Sequence, residues 1–283
     1  MKALKQAVVS NREFVMTDRD FETIRNIVSE RTGIVLSDGK RDMVYGRLVR
    51  RLRVLGLPGF SQYCDVISQD DGEELSEFIN AITTNLTAFF RESHHFEFLE
   101  KELLPFIMEN KKDRKLRIWS AGCSSGEEPY SIAMVVRENV PKDWDVKILA
   151  TDLDTNMVNK ASMGIYDEKR VSGIDKKRLK RWMRRGKGNN SGMIRMSEEL
   201  RGIITFNQLN LMNSWPFKGL FDFIFCRNVV IYFNKDTQRI LFNRFADLLP
   251  DGGHMFIGHS ESMFNVCDRF KLLGKTIYKK QGN

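Results

Sequence analysis

Two carboxylates directly follow a small-residue turn in the run WSAGCSSGEEPYSIA (119–133), and a third, Asp152, lies 30 residues beyond the first glycine of that turn. The apolar segment Leu116–Trp119 leads into the turn, and an apolar helical pattern leaves it through Glu127, Glu128 and Pro129. Glycines between a strand and a helix let the backbone approach a ligand where a Cβ would collide. The acids then restrict the ligand. A phosphate loop of the form GxxxxGK(S/T) uses a lysine to meet the phosphate charge, and a dinucleotide fingerprint uses GxGxxG with an uncluttered helix N-terminus. Here only GxxxG is present, and Glu127 and Glu128 would repel phosphate. S-adenosylmethionine fits better, having an ammonium, a sulfonium and a ribose but no phosphate. A plain strand–helix turn capped by serine and glutamate is the competing reading of this stretch alone.

Further strand ends add polar groups. ILATDLD closes with Asp152, a carboxylate placed to accept both hydroxyls of a ribose, while Asp154 reads as a helix cap or a surface acid. FNQLNL sets Asn210 beside Leu211, a pair suited to the edge and face of an adenine. FDFIFCRNVVIYF is an apolar strand that ends in Arg227 and Asn228, with Tyr232 following. Asn210 and Asn228 are equally suited to satisfying turn backbones. Cys226 ends an apolar strand and reads as core.

The elements that must position these residues fall into two parts. Over the first ninety residues the apolar spacing is helical: Thr17–Asp20 forms a capping box ahead of Phe21, Ile24, Ile27 and Val28, and Gly33 stops that helix. A second helix from about Ser37 carries Val44, Leu48, Leu52 and Leu55 on one face. Arg50 and Arg53 point away from that face, and Arg47 and Arg51 run along its flank. Leu75, Phe78, Ile79 and Ile82 mark a further helix. After about residue 90, one helix (HHFEFLEKELLPFIMEN) precedes strands that alternate with helices. That order predicts an α/β unit with a mostly parallel, doubly wound sheet. Residues 166–206 break the rhythm, are basic, and contain GNNSG, a hairpin turn; they read as an inserted small β unit. The domain reading is 1–90 helical domain and linker, then 91–283, with the insertion at about 166–206.

The chain of 283 residues has a net charge of +8, distributed unevenly. Residues 1–58 hold 12 Lys/Arg against 7 Asp/Glu, and residues 166–206 hold 12 against 5, so the remainder is net acidic. Two basic faces of this kind are either solvated surface or docking sites for an acidic partner. No apolar run approaches the roughly 20 residues of a membrane span, and MKALKQAVVSNREF lacks the apolar core of a signal peptide. The cysteines at 64, 123, 226 and 267 are scattered, which argues against disulfides or a zinc site and for a reducing cytoplasm. His94 and His95 open a helix and are expected at its surface. No histidine adjoins a serine or cysteine nucleophile in the sequence, and no metal-ligating cluster appears, so no metal is expected. An amino-methylating DNA enzyme would carry an NPPY-type motif where this chain has CRNVV. A non-enzymatic S-adenosylmethionine-binding regulator, or a protein acting on RNA or another acidic protein, is the alternative class. The interleaved aromatic and basic residues of a nucleic-acid stacking platform are absent.

TTNLTAFFRE (83–92), WSAGCSSGEEPYSIA, ATDLDT (150–155), FCRNVVIYF (225–233) and GHSE (258–261), in this order, closely resemble the chemotaxis receptor methyltransferases, the CheR family. KRDMVYGRLVRRLRVLGL (40–57) resembles that family's N-terminal domain. The resemblance implies a class I S-adenosylmethionine-dependent methyltransferase that esterifies glutamate side chains of chemoreceptors in the cytoplasm, releasing S-adenosylhomocysteine. It places Asn85, Thr87, Arg91, Ala121, Glu127, Asp152, Asn210, Leu211, Asn228 and Val229 at the cofactor, with Arg227 near the same rim. It places Tyr232 near the transferred methyl, and Arg91 either orienting the substrate or holding the cofactor's carboxylate. Arg47, Arg50, Arg51 and Arg53 become a docking face for acidic receptor helices, and the insertion a seat for a receptor tail peptide. A monomer acting without nucleic acid or membrane insertion follows. A glutamate nucleophile, with an unperturbed pKa near ~4.3, is ionised at neutral pH and needs no general base. Its negative charge and the sulfonium's positive charge vanish together on reaction, so a dry site walled by Phe89, Phe90 and Tyr232 would favour the step.

Overall fold

The computed structural model describes residues 12–69 and 72–282; the expectation about a signal peptide falls mainly outside them. The chain divides into two compact units, one ending at Ile82 and one comprising Thr32–Val35 and the chain from Thr83 onward. The segment 83–90, read in the sequence as linker, therefore lies with the second unit. Among the described residues no helix is long and apolar enough to cross a membrane.

The first unit is built of α1 (Asp18–Thr32), α2 (Arg41–Leu55), α3 (Phe60–Gln69) and α4 (Glu73–Ile82). The capping box closes as expected: Thr17 N–H donates to Asp20 Oδ2 at 2.8 Å, and Asp20 N–H donates to Thr17 Oγ1 at 3.1 Å. Gly33 follows α1 with a φ of +75°. Helix α2 buries Val44, Leu48, Val49 and Leu52. Helix α3 is absent from the sequence reading, because a tyrosine and a cysteine share its buried face with Phe60 and Ile67.

The four arginines of α2 have different environments. Arg51 donates through Nε to Glu74 Oε1 at 3.1 Å, and Tyr63 Oη donates to the same oxygen at 2.8 Å. Glu77 stands 3.4 Å from Arg51 on the other side. Arg47 donates to the carbonyl of Ile82 at 2.6 Å, satisfying the C-terminus of α4. Arg53 pairs with Glu13 at the surface. Arg50 is exposed and pairs with no carboxylate among the described residues.

The second unit is organised by a seven-stranded sheet. Its strands are β1 (Lys115–Ala121), β2 (Asp145–Asp152), β6 (Ile204–Gln208), β7 (Phe223–Phe225), β8 (His254–Phe256), β9 (Phe270–Gly274) and β10 (Ile277–Lys280). They lie in the order β6-β2-β1-β7-β8-β10-β9. The first five strands in that order are parallel, and β10 is antiparallel to both neighbours. Helices α5 (Ser93–Phe98) and α6 (Leu104–Asn110) are joined by a wider π turn at Leu99–Leu103; α7 (Glu127–Asn139), α8 (Thr155–Met163) and α11 (Lys235–Asp247) follow. Alternate side chains of the central strands feed two cores. Ile118, Phe223 and Phe225 join the cluster beneath α7, whereas Trp119, Ile224 and Cys226 join the one beneath α11. Both faces are thus apolar, as a sandwiched parallel sheet requires. Strand β9 is missing from the sequence reading: its five residues, Phe270–Gly274, do not alternate apolar and polar, and Leu272 and Leu273 are both exposed.

The insertion is a separate antiparallel sheet of β3 (Ile165–Asp167), β5 (Met193–Met196) and β4 (Met183–Arg185), with short helices α9 (Lys176–Trp182) and α10 (Glu198–Arg201). The expected hairpin joins β4 to β5: Gly186 N–H donates to the Met193 carbonyl at 2.8 Å, and a Cβ on Gly186 would lie 2.1 Å from the Asn190 carbonyl oxygen.

The arginine environments predict different costs of substitution. Arg51→Ala strands Glu74, whose carboxylate is largely buried, and should cost about 2–4 kcal/mol. Arg50→Ala should leave stability unchanged. Urea unfolding of the two variants checks this; equal midpoints would show that the Arg51–Glu74 pair contributes nothing.

Candidate active site

Strand order reverses beside β1, so a crevice opens at the carboxyl ends of β1, β2 and β7, where open parallel sheets bind their ligands. Ala121 ends β1 and is fully buried. The turn after it is held by β2: the amides of Gly122 and Cys123 both donate to the Thr151 carbonyl, at 2.8 and 2.9 Å. Gly122 and Gly126 have φ of +85° and +96°. A Cβ on Gly122 would sit 2.3 Å from Val229 Cγ2, and one on Gly126 would sit 2.7 Å from the Tyr166 hydroxyl. The two glycines are therefore required first by neighbouring side chains.

The paired acids diverge. Glu127 is fully buried at the first turn of α7; its Oε2 accepts from Ser125 Oγ at 2.6 Å. Its Oε1 lies in ion-pair contact with Arg170 of the insertion, yet no hydrogen bond is directed at it. Glu128 faces the sheet instead. It accepts from Ser120 Oγ at 2.7 Å and from Arg227 Nη1 at 3.1 Å. Burial raises the Glu128 carboxyl, against the opposing pull of Arg227.

Asp152 binds the turn and its own helix together. Oδ2 accepts from the Ser124 amide at 2.7 Å and Oδ1 from the Asp154 amide at 2.9 Å. Each oxygen keeps a second lone pair, so the carboxylate has capacity left for a diol. Burial pushes its pKa up to about 6. Asp154 is the helix cap that the sequence suggested, accepting from the amides of Asn156 and Met157 at 3.0 and 3.2 Å. Its other oxygen receives Asn85 Nδ2 at 2.7 Å and Thr83 Oγ1 at 2.8 Å, which anchors the 83–87 segment.

Arg227 is the hub of the site. It is 6% exposed, and contacts Glu128 at 3.1 Å and Glu92 at 3.2 Å while donating to the Arg91 carbonyl. Glu92 in turn meets His259 Nδ1 at 2.8 Å. Burial would raise the Glu92 carboxyl, but the His259 hydrogen bonds and the Arg227 charge outweigh it and hold the pKa at about 2. The Arg91 guanidinium donates to the Leu86 carbonyl at 2.8 Å, and Arg170 donates to the Thr87 carbonyl at 3.2 Å. Phe89 meets the Tyr166 ring edge-on at 5.1 Å, and Phe90 meets Phe96 at 5.2 Å.

On the opposite wall, Asn228 has a φ of +58° and Tyr232 ends a one-turn helix, Val230–Tyr232. Val229 packs over Gly122. Asn210 accepts the Met212 amide at 2.9 Å through its side chain, the turn role that competed with adenine recognition. Leu211 is buried in the core beneath α11.

One histidine expectation fails. His95 is fully buried, with Nε2 3.0 Å from the Lys275 carbonyl and the ring against Phe256, and burial lowers its pKa to about 3. The residues 180 positions away that bury it are invisible to local pattern. The ligand atoms of Glu92, His94 and His95 lie within 4.8 Å of one another, but Arg227 shares the same carboxylate, and its charge opposes a cation there. The Glu92–His259 and Arg227–Glu92 contacts likewise join motifs more than 130 positions apart and leave no local pattern in the sequence.

The site suits S-adenosylmethionine on its own chemistry. Ser124 Oγ is buried without a partner and Asp152 retains acceptor capacity, while the Glu127 oxygen that accepts no hydrogen bond lies in ion-pair contact with Arg170. An α/β unit of this topology with such a crevice defines the S-adenosylmethionine-dependent methyltransferase class. Residues 85–279 match the description "CheR methyltransferase, SAM binding domain", and residues 19–83 match "CheR methyltransferase, all-alpha domain". The chain is 42% identical over 274 residues to a chemotaxis protein methyltransferase of Salmonella typhimurium, covering 94% of this chain and 92% of that one. It is 43% identical to the Escherichia coli chemotaxis protein methyltransferase (93% and 91% covered) and 43% identical to chemotaxis protein methyltransferase 2 of Pseudomonas aeruginosa (96% and 96%). The chain belongs to the CheR methyltransferase family.

Asp152 yields a signed pH dependence. A proton on this carboxyl removes acceptor capacity for a diol, so affinity for S-adenosylhomocysteine should fall as pH drops through about 6. Asp152→Ala should lose about 1.5–3 kcal/mol of that affinity, the range for hydrogen bonds to a charged group. Calorimetry between pH 5 and 8 measures both; unchanged affinity in a folded variant would remove Asp152 from the cofactor.

Proposed function

We propose that this protein methylates glutamate side chains of chemoreceptors in the cytoplasm. The observation that carries the substrate assignment is that the similarity to chemotaxis protein methyltransferases spans both units, the helical one included. S-adenosylmethionine supplies an electrophilic methyl group. Asp152 holds its ribose, and Glu127 and the 121–127 turn receive its methionine portion beside Arg91, Asn85 and Thr87. Asn210 and Leu211 lie along the adenine, and Asn228 and Val229 close the rim. Tyr232 lines the place of transfer and excludes water there together with Phe89 and Phe90. Arg91 orients the incoming carboxylate.

The substrate arrives ionised, so the enzyme's task is positioning and desolvation. Single-turnover transfer at saturating cofactor should therefore be nearly flat from about pH 6.5 to 9, since a glutamate with pKa near ~4.3 is ionised throughout. A rate that rises through neutrality and becomes flat in His259→Ala would identify His259, oriented by Glu92, as a general base and would sink the base-free mechanism.

The basic face of α2 is the proposed dock for acidic receptor helices. Arg50 is exposed with no carboxylate partner among the described residues, and Arg53 is exposed in a surface pair with Glu13 that an acidic partner would have to displace, whereas Arg47 and Arg51 already serve the fold. Charge reversal of Arg50 and Arg53 to Glu should slow methylation several-fold at low salt, with the difference shrinking as the Debye length falls to ~8 Å near 0.15 M. Equal rates at all salt concentrations would leave this face as plain surface. The insertion is the proposed seat for a receptor tail that would add a strand. The protein acts as a monomer in this scheme.

A further inference from the structure

The carboxylate of Glu261, in the loop after β8, holds one wall of the crevice. It is 5% exposed, and four backbone amides donate to it. Oε2 accepts from the amides of Asn228, at 2.9 Å, and Gly258; Oε1 accepts from Val229 at 2.9 Å and Ile231 at 3.2 Å. The carbonyl side of the same loop is gathered by another side chain: Gln238 Nε2 donates to Val230 O at 2.8 Å and Phe233 O at 3.0 Å. Two residues outside the loop thus satisfy its backbone from opposite sides. Burial raises the Glu261 carboxyl, while the four amide donors favour its ionised form, since a proton on the carboxyl would compete with one of them.

The loop needs this support. Asn228 is in the left-handed region at φ +58°, which a non-glycine residue adopts at a cost. Gly258 lies against it so closely that a Cβ there would be 2.5 Å from Asn228 Nδ2 and 2.8 Å from Asn228 N. The held amide of Val229 also places its side chain onto Gly122, in the turn after β1. One carboxylate therefore couples the loop after β7 to the turn after β1.

We infer that Glu261 is a positioning residue for methyl transfer: it holds Asn228 and Val229 against the cofactor and sets Tyr232 at the transfer point. The inference rests on the cofactor and transfer roles proposed above for those residues. It explains why a carboxylate is used. Four converging amides need four lone pairs and no donor, which a glutamine of equal size cannot supply.

The test is Glu261→Gln, with Glu261→Asp as a second variant that keeps the charge but shortens the reach. Amide exchange at Asn228, Val229 and Ile231 is followed by NMR, S-adenosylhomocysteine affinity by calorimetry, and single-turnover methylation of a receptor fragment at saturating cofactor, all well below the melting temperature. Glu261→Gln should expose those three amides to exchange, weaken cofactor binding tenfold or more, and slow transfer at saturation at least tenfold, with the receptor KM changed less than threefold. Glu261→Asp should fall in between. If Glu261→Gln does not fold, Glu261→Asp decides by the same readouts. A variant that melts earlier but binds cofactor and transfers methyl like the wild type would make Glu261 purely structural and overturn the inference. A wild-type protein that binds cofactor but leaves receptor unmethylated would overturn the substrate assignment alone, and exchange and calorimetry would still judge Glu261.

Discussion

The buried guanidinium of Arg227 is the constraint on which the site depends. It sits just past β7, in the core of the sheet's carboxyl edge, and a cation there is tolerable only with full compensation. Glu128 from α7 and Glu92 from the approach to α5 provide two anions, and the Arg91 carbonyl a third acceptor. These groups come from two segments, residues 91–92 and α7, so satisfying the one charge on Arg227 fixes three parts of the chain relative to one another. The position of Arg91 follows from its backbone being a ligand of Arg227, independently of its own side chain.

The same logic recurs around the crevice. Asp152 holds the Ser124 amide, Asp154 holds Asn85 and Thr83, and Glu261 holds the 228–231 loop. In each case a carboxylate at or after a strand end collects donors from a loop, backbone amides for Asp152 and Glu261 and side chains for Asp154. Loops at the edge of a parallel sheet lack ladder partners, and buried amides must find acceptors elsewhere. The acids that make the site resemble a cation-binding cleft are thus largely its scaffold. Among these acids, what remains for a ligand is the lone pairs left over on Asp152 and the Glu127 oxygen that faces Arg170.

The basic character of the chain has a comparable division. Arg51 and Arg47 belong to the helical unit's interior bookkeeping of charge and carbonyls, while Arg50 and Arg53 remain at its surface. A count of arginines on a helix flank cannot separate these uses, because a long side chain reaches partners on another helix more than twenty positions away.

The sequence alone determined what local chemistry controls. The capping box at Thr17, the stop at Gly33, the alternation of strands and helices, the acid at the end of β2 and the hairpin in the insertion each depend on a few adjacent residues, and all appear where the pattern put them. Motif order was enough to identify the family. What only the tertiary structure decided were contacts between distant positions. Gly122 is needed by Val229, His95 is buried by Lys275 and Phe256, Arg227 is shared by Glu92 and Glu128, and Glu261 gathers four amides, three of them about thirty residues earlier in the chain. The physical reason is that burial and charge compensation are set by what the fold brings alongside a residue, and separations of 30 to 180 positions leave no periodic trace in the sequence.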